Sequence, residues 1–440
     1  MKNFSGQIIR FYKKLVYSIA FIPTIMIIFS FLLSILIFGI ENTGVAMQLK
    51  DSLKIVLVRE ADNARLILTT IIGGIISLTV FSFSMVMVVL NRTSASLSPR
   101  VLPQLVAQKF HQVVLGVYMG TIVFSLIIVN NVNSNENLPS LGILLSIILA
   151  IFSLGLFIYF IHSISQSIQV DNILKDILNY TKKQILATKK KQKQKHNRGE
   201  NERAFWFDAF AAKKTGYYQV LNLQGLNSTL EKNGLRFITC IYSGQFVHEG
   251  TILGKLDKEN TNEEILSAIH KCFYKVDNAE DEGQYHFGLR KISEIAVKAL
   301  SPGINDQGTA LKAIRYLTIL FSEILEIDNY VQLADRNGEI RIYRKQPDLD
   351  TLFFESISPI RQFSSNSLEI HCALYDFFKI LLMQNIQKTY LIIKNHLLSM
   401  MATSDEQINN IHDREIINNY IEKIRKLPLN NINTIPKLTS

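Results

Sequence analysis

Four long stretches of the sequence contain no charged residue, and they constrain the fold more than any other feature. They cover residues 15–40, 67–90, 113–130 and 141–160. A helix rises about 1.5 Å per residue and the hydrocarbon core of a bilayer is about 30 Å thick, so each stretch is long enough to cross a membrane. Backbone polar groups in lipid need internal hydrogen bonds, which makes helices the expected form. We therefore expect an all-α, four-helix membrane domain over residues 1–170.

Basic residues beside these stretches predict the orientation. The connection between the third and fourth stretches has none, whereas three other segments are basic: the N-terminus, the second connection and the tail after the fourth stretch. Positive residues favour the cytoplasmic side, so both termini are expected there, in a multi-pass protein of the plasma membrane (the inner membrane of the cell). The first connection mixes both signs and fits this orientation less well.

Net charge and cysteine content limit the classes of partner and of bound group that we expect. The chain has 440 residues, is 48% hydrophobic and has a formal net charge of +10. Much of the basic excess lies beside the apolar stretches, which indicates membrane lipids as partners and argues against nucleic acid. The three cysteines form no CxxC pair and no paired histidines accompany them, so neither a disulfide framework nor a zinc site is indicated. No metal and no cofactor are expected.

The second apolar stretch carries polar residues at seven-residue intervals, which is two helical turns and places them on one slowly drifting stripe. The members of this polar stripe are Thr70, Ser77, Ser84 and Asn91. One interpretation is the lining of an aqueous path. The alternative, which we favour, is helix packing, because small residues four apart such as Gly73 and Ser77, or Gly116 and Gly120, let helices approach closely.

The fourth helix is predicted to continue past the membrane to residue 170. Its polar extension includes Ser163 and Gln166, which would line a vestibule if a pore exists. His162 is the first titratable side chain after the span. A histidine at the membrane interface is the simpler interpretation, and a pH-sensitive gate is the functional one.

The remainder of the chain is expected to form a basic helical linker over residues 171–203 and a cytoplasmic α+β domain over residues 204–440. A small β-module is predicted near residues 213–256, followed by a helical C-terminal part. The lysine-rich run at residues 189–195 reads as a solvated face or as a contact with anionic lipid headgroups.

A sharp corner is predicted between two amphipathic helices near residue 300. Proline stops the first helix, glycine supplies a left-handed turn, and Asn305 or Asp306 caps the second helix. The corner residues that we single out are Ser301, Pro302, Gly303, Asn305, Asp306 and Thr309.

This corner also carries a resemblance. The segment 294–306 with Thr309 and Ala310 looks like the signature of a bacterial family of predicted membrane proteins, the domain-of-unknown-function family 2254. Further matching pairs and triplets are Phe81-Ser82, Ser98-Pro99-Arg100, Leu115-Gly116, Gly120-Thr121 and Phe160-Ile161-His162. Gln307 stands where the family usually has proline. The resemblance implies four spans and a cytoplasmic domain, but no activity.

Two function hypotheses follow. The first is a homo-oligomeric channel or passive transporter with a cytoplasmic domain that assembles or gates it, because no charged residue of an ion-coupled pump lies within the four stretches. The alternative is a membrane-tethered sensor or scaffold that binds a partner or small ligand at the corner. An enzyme is not expected: its candidates are Asp306, His286, Glu294 and the acidic loop at residues 277–282, and no nucleophile elbow, phosphate loop or metal-ligand spacing accompanies them.

Overall fold

The computed structural model divides the chain into an N-terminal unit, Met1–Ile173, and a C-terminal unit, Leu174–Ser440. The described residues are 20–41, 57–96, 109–132, 138–167, 169–193, 206–220, 223–259, 261–276, 284–384, 386–429, 432 and 435–438.

Four apolar helices make up the described part of the N-terminal unit. They are α1 (Phe21–Ile40), α2 (Ala61–Ser96), α3 (Lys109–Asn130) and α4 (Ser140–Ser167). All four are long and apolar enough to cross a membrane. Helix α2 begins before its apolar stretch. Its first turns contain Asp62 and Arg65, whose side chains are exposed, so these charges are compatible with the helix.

Helix α3 lies at the centre of this unit and packs against the other three helices. Half of its spanning window (50%) is buried, against 11% for α1 and α2 and 22% for α4. Gly116 and Gly120 face α1, where an added Cβ would lie 2.6 Å from the Met26 sulfur and would overlap with the Ser30 hydroxyl. The packing interpretation therefore holds for this glycine pair.

Charged side chains bind helix ends at one end of the bundle. Glu41, just after α1, accepts a hydrogen bond of 3.1 Å from the Leu141 N–H in the first turn of α4. Arg65 donates a bond of 2.7 Å to the Val132 carbonyl just after α3. A carboxylate at a helix N-terminus and a guanidinium at a C-terminus both satisfy unpaired backbone groups. The mixed charge of the first connection thus has a structural role.

The fourth helix ends earlier than predicted. It stops at Ser167, and a separate helix, α5 (Val170–Lys193), follows Gln169, which is not helical. The first turn of α5 starts at Gln169, whose carbonyl accepts bonds from the N–H groups of Asn172 and Ile173. The predicted continuous helix through residue 170 is therefore wrong.

Two small sheets form the β part of the C-terminal unit. Their strands are β1 (Phe207–Ala211), β2 (Gly216–Val220), β3 (Phe237–Thr239), β4 (Gln245–Val247), β5 (Ile252–Leu256), β6 (Phe273–Val276), β7 (Tyr330–Ala334) and β8 (Ile340–Lys345). One sheet has the order β1-β5-β3-β8-β7 and the other β4-β2-β6. Only the β3–β8 pairing is parallel among the described strands. The predicted module near 213–256 supplies four of these strands.

Aromatic packing anchors the larger sheet. Phe237 is fully buried and stacks on Phe210 with ring centroids 5.9 Å apart, while Phe273 meets it edge-on at 5.8 Å. Gly254 lies against the Phe237 ring, where any Cβ would overlap with it. A glycine in this strand is therefore required by the ring that covers it.

Helices surround the sheets and form the C-terminal part. They are α6 (Leu223–Asn233), α7 (Glu263–His270), α8 (Tyr285–Ala299), α9 (Gln307–Ile324), α10 (Leu349–Ser356), α11 (Ser358–Phe363), α12 (Leu368–Met383), α13 (Gln387–Gln407) and α14 (Ile411–Arg425). Helix α12 packs on α9, α13 and α14. The observed fold is thus four apolar helices followed by a mixed α/β region whose last part is helical.

Candidate functional site

The predicted corner joins α8 to α9 and is held by its own backbone. The Asn305 N–H donates to the Ser301 carbonyl at 2.9 Å and the Asp306 N–H to the Ala299 carbonyl at 2.8 Å. The left-handed residue is Asn305, with φ of 47°, whereas Gly303 is not in that region. The assignment of the left-handed turn to Gly303 is therefore wrong, and asparagine takes the role because its short polar side chain tolerates this conformation.

Asp306 caps α9 through both of its carboxylate oxygens. Its Oδ1 accepts the Thr309 N–H at 3.0 Å, and its Oδ2 accepts the Thr309 hydroxyl at 2.6 Å. Both carboxylate oxygens are thus used within the helix terminus, where a negative charge is favourable. An external anion would meet this carboxylate, so the corner supports a structural role more directly than a binding role.

The best enzyme candidates do not come together. His286 lies in the first turn of α8 and Asp306 lies beyond its last turn, which separates them by roughly 20 Å at 1.5 Å per residue. Glu294 faces Arg290 at 3.6 Å. His286 and Asp306 therefore do not share one site, and the acidic loop at residues 277–282 lies outside the described residues.

His286 is buried among aromatic rings, with a T-shaped contact to Tyr242 at 5.6 Å and a tilted contact to Phe287 at 4.2 Å. Burial lowers its pKa to about 3, and the Ser243 backbone opposes this shift. The imidazole is consequently neutral at physiological pH and acts as part of the core.

A second buried histidine belongs to a hydrogen-bonded chain between α12 and α13. The Tyr375 hydroxyl donates to Ser404 Oγ at 3.0 Å, and Ser404 Oγ lies 2.9 Å from His371 Nδ1. His371 Nε2 lies 2.8 Å from the Ser365 carbonyl, which only accepts, so Nε2 carries the proton and Nδ1 accepts from Ser404. Burial lowers the pKa of His371, in agreement with this neutral tautomer.

The polar stripe of α2 lies on the exposed side of the single chain. Thr70, Ser77, Ser84 and Asn91 are all exposed. The hydroxyls of Thr70 and Ser77 donate to the carbonyls of Leu66 and Gly73, at 2.7 and 3.0 Å. Among the described residues, nothing lies within 4 Å of a Cβ built on Gly73 or Gly74. The stripe therefore packs against no other described helix of its own chain.

The predicted vestibule is described only in part. Ser163 is partly buried and His162 is exposed, whereas the side chain of Gln166 lies outside the described part of the chain. The vestibule and the pH gate stay predictions.

Helix α5 is more than a solvated linker. The Lys189 ammonium lies between Glu323 and Glu326, 2.9 Å from each carboxylate, with only 14% of its side chain exposed. Burial lowers the pKa of Lys189, but the two carboxylates outweigh burial and the pKa is raised. Sequence reasoning missed this pair because the partners lie more than 130 residues apart.

An open groove of about 1050 Å³ runs along α9 and α12. It has an apolar floor that includes Ile319, which is 42% exposed, and Ile380, which is 41% exposed. Cys372 lines it as well, and burial together with Asp376 raises the pKa of this thiol to about 11, so the thiol is protonated and weakly reactive. The lining positions on each helix recur every three or four residues over about three turns, which is the shape that receives a helix. The groove depends on contacts between distant helices and has no local sequence signal.

Four helices that can span a membrane, followed by a mixed α/β unit, define the class of integral membrane proteins with a large extramembrane part. The family model described as predicted membrane protein (DUF2254) matches residues 17–379, and the chain belongs to this family.

The relatives do not add an activity. Uncharacterised proteins of Mycobacterium bovis and Mycobacterium tuberculosis are 25% identical to this chain over 324 residues, which cover 69% of the chain and 60% of the relatives. The chain thus matches about 60% of the length of these proteins. No solved structure matches it.

Proposed function

We propose that the chain forms a homo-oligomeric channel or passive transporter in which α2 lies at the contact between copies and borders the pathway. The C-terminal unit assembles or gates it. The observation that carries this proposal is the exposed polar stripe of α2, because a face with small and polar side chains is a poor surface for lipid tails.

The small residues of this face suit contact with a second copy. The back-bonded hydroxyls of Thr70 and Ser77 tolerate an apolar environment, so they do not require water by themselves. Gly73 and Gly74 present no side chain on this face, and small residues of this kind let a neighbouring helix approach closely and gain packing contacts. Copies that meet along this face bring four polar positions each towards a shared axis.

Conductance in planar bilayers tests the channel. The wild-type protein is expected to conduct, and a Ser77→Leu plus Ser84→Leu variant is expected to conduct at least tenfold less, because leucine fills the space beside the stripe. A matched control, Ile151→Leu plus Ile158→Leu, changes exposed residues of α4 and is expected to conduct normally. Absence of current from all three proteins contradicts the channel.

We place both termini on the cytoplasmic side of the plasma membrane. The support is the distribution of lysine and arginine: the N-terminus and the segment after α4 are basic, and the connection between α3 and α4 has neither residue. The four-helix arrangement agrees with an even number of crossings, which leaves both ends on one side.

A second candidate function, a membrane-tethered sensor or scaffold, is favoured by the groove along α9 and α12. A photo-crosslinking residue placed at Ile319 or Ile380 is expected to form one discrete adduct in cells, to be identified by mass spectrometry. The control position is Leu391 on α13, which is 65% exposed and does not line the groove. Adducts of equal yield at all three positions contradict a specific partner.

A further inference from the structure

We propose that the outward face of α5 binds the anionic headgroups of the bilayer that α4 crosses. This proposal does not depend on the channel, since it concerns how the C-terminal unit meets the membrane surface. It rests on the fixed rotation of α5, on the residues of its free face and on its distance along the chain from the fourth span.

The rotation of α5 is fixed by the helices on its inner side. Thr181 lies against Gly288 of α8 so closely that a Cβ on the glycine would overlap with the Thr181 side chain. Eight residues later, Lys189 pairs with Glu323 and Glu326. One turn further, Gln192 bonds to Asp328. These contacts fall on one side of the helix and define the opposite side as outward.

The outward side is basic and partly apolar. At 3.6 residues per turn, Lys175, Lys183 and Lys190 fall within a sector of about 80°. All three are exposed. Leu186 lies between them on the helix surface and is 48% exposed, and Tyr180, about 60° beyond Lys183, is 44% exposed.

This composition suits a membrane interface better than bulk water. Lysine side chains reach headgroups while their stems lie along apolar surface, and tyrosine and leucine insert at the boundary. Two exposed carboxylates flank the sector, Asp176 about 20° beyond Lys183 and Asp171 about 40° beyond Lys175. They reduce the attraction, but three lysines against two carboxylates leave the face net positive. Each lysine adds attraction to an anionic leaflet, and this attraction falls off within a Debye length.

The chain holds α5 near the bilayer. The candidate span in α4 ends at Ile164, and α5 begins at Val170, so residues 165–169 separate them. Five residues reach at most about 18 Å even when extended. The start of α5 is therefore within reach of the headgroup layer, which is why the occupant is this bilayer.

The test uses the full chain in nanodiscs of phosphatidylcholine with and without phosphatidylglycerol. An amine-reactive reagent labels surface lysines, and mass spectrometry gives the rate at each position. Labelling of Lys175, Lys183 and Lys190 is expected to be about threefold or more slower in the anionic discs and to recover at high salt, because salt screens surface charge. Lys232, exposed on α6, is the internal reference and is expected to keep one rate.

A charge-matched pair of variants separates this face from general basicity. The triple variant Lys175→Gln, Lys183→Gln, Lys190→Gln is expected to co-purify with less phosphatidylglycerol than wild type. Lys232→Gln, Lys258→Gln, Lys271→Gln removes the same charge from other exposed positions and is expected to retain it. Equal labelling rates in both kinds of disc overturn the proposal. The proposal is also overturned if labelling of these lysines slows only when a soluble polyanion is added to the uncharged discs, because the face would then bind any anion and not the bilayer.

Discussion

Two buried histidines of the C-terminal unit are held neutral by different means. Both ring nitrogens of His371 form hydrogen bonds, whereas neither ring nitrogen of His286 has a partner in hydrogen-bond geometry among the described residues. A neutral imidazole in the folded state has a stability consequence in either case, because the unfolded chain takes up a proton below the ordinary pKa of 6.5.

The sign follows from the lowered pKa of His286, about 3 in the folded protein. Between pH 6.5 and 3 the unfolded state binds a proton at this histidine and the folded state does not. The contribution of His286 to the free energy of unfolding is therefore fully present above pH 6.5 and is lost as the pH decreases. The loss from this residue is expected to be about 1.4 kcal/mol per pH unit within that window.

Replacing His286 with phenylalanine tests the predicted pH dependence of the free energy of unfolding. His286→Phe keeps an aromatic ring beside Tyr242 and Phe287 but removes the titrating group, so the variant is expected to lose less stability between about pH 7.5 and 5.5. Urea unfolding followed by Trp206 fluorescence measures it, because Trp206 is the single tryptophan and lies 5.5 Å from the Tyr343 ring. His248→Gln, at an exposed position, is the control and is expected to keep the wild-type pH dependence. The same pH dependence in His286→Phe would contradict the prediction.

At this scale, the sequence predicted chemistry better than conformation. Asp306 was one of two candidates for the cap of α9, and it is the cap. The left-handed residue was placed at Gly303 and is Asn305, because both residue types tolerate positive φ and only the hydrogen bonds of the corner decide between them.

At the scale of elements, α5 and α8 approach each other through Gly288. Gly288→Ala adds a methyl group that overlaps with Thr181 and is expected to cost about 1–3 kcal/mol, in the range of overpacked cores. Thr181→Ala is expected to restore part of the loss in the double variant, because it removes the nearest atoms. Gly303→Ala, which meets open space, is the control. Losses that simply add in the double variant would exclude a direct contact.

Glycines in the spans separate packing within a chain from assembly between chains. Gly120→Leu intrudes on Ser30 of α1 and is expected to destabilise the bundle itself. Gly73→Leu meets no described neighbour and is expected to leave the single-chain fold intact while reducing the oligomer. Thermal unfolding and light scattering in detergent measure the two effects. A Gly73→Leu protein with the mass of wild type would show that this face is not an interface.

Helices with a strong hydrophobic period could be predicted from the sequence, whereas short helices and strands with a weak period could not. The C-terminal part was predicted to be helical, and α12 (Leu368–Met383) lies there with a continuous apolar face. Helix α6 was not predicted, although Leu223, Leu226 and Leu230 recur at helical spacing, since Gly225 interrupts a short pattern next to predicted strands. Strands β1, β6 and β7 are four or five residues long and offer too short a period.

For the whole molecule, the orientation is open to direct measurement. Fusion of a reporter that is active only in the cytoplasm is expected to give signal at both the N-terminus and the C-terminus, by the distribution of basic residues. Fusion after residue 135, between α3 and α4, is expected to be silent. Signal from that position, or from one terminus only, would contradict the proposed orientation.

The four spans were readable because a bilayer imposes one length and one polarity on each of them. Sheet order was not readable, because hydrogen bonds between strands distant in sequence carry no local pattern. The same holds for the groove and for the Lys189 pairs, which arise only when α9 meets α12 and α5.

The parallel pairing of β3 with β8 joins residues that the ribosome makes far apart in time. Phe237 pairs with Ile342, so β3 is synthesised about a hundred residues before its neighbour. Synthesis proceeds from the N-terminus, and all four spans leave the ribosome before the larger sheet is complete. During that interval one edge of β3 has no strand beside it, which is the kind of edge that recruits other chains. Any shortened form that ends before residue 340 keeps this edge permanently, so useful truncations of the protein should end after β8.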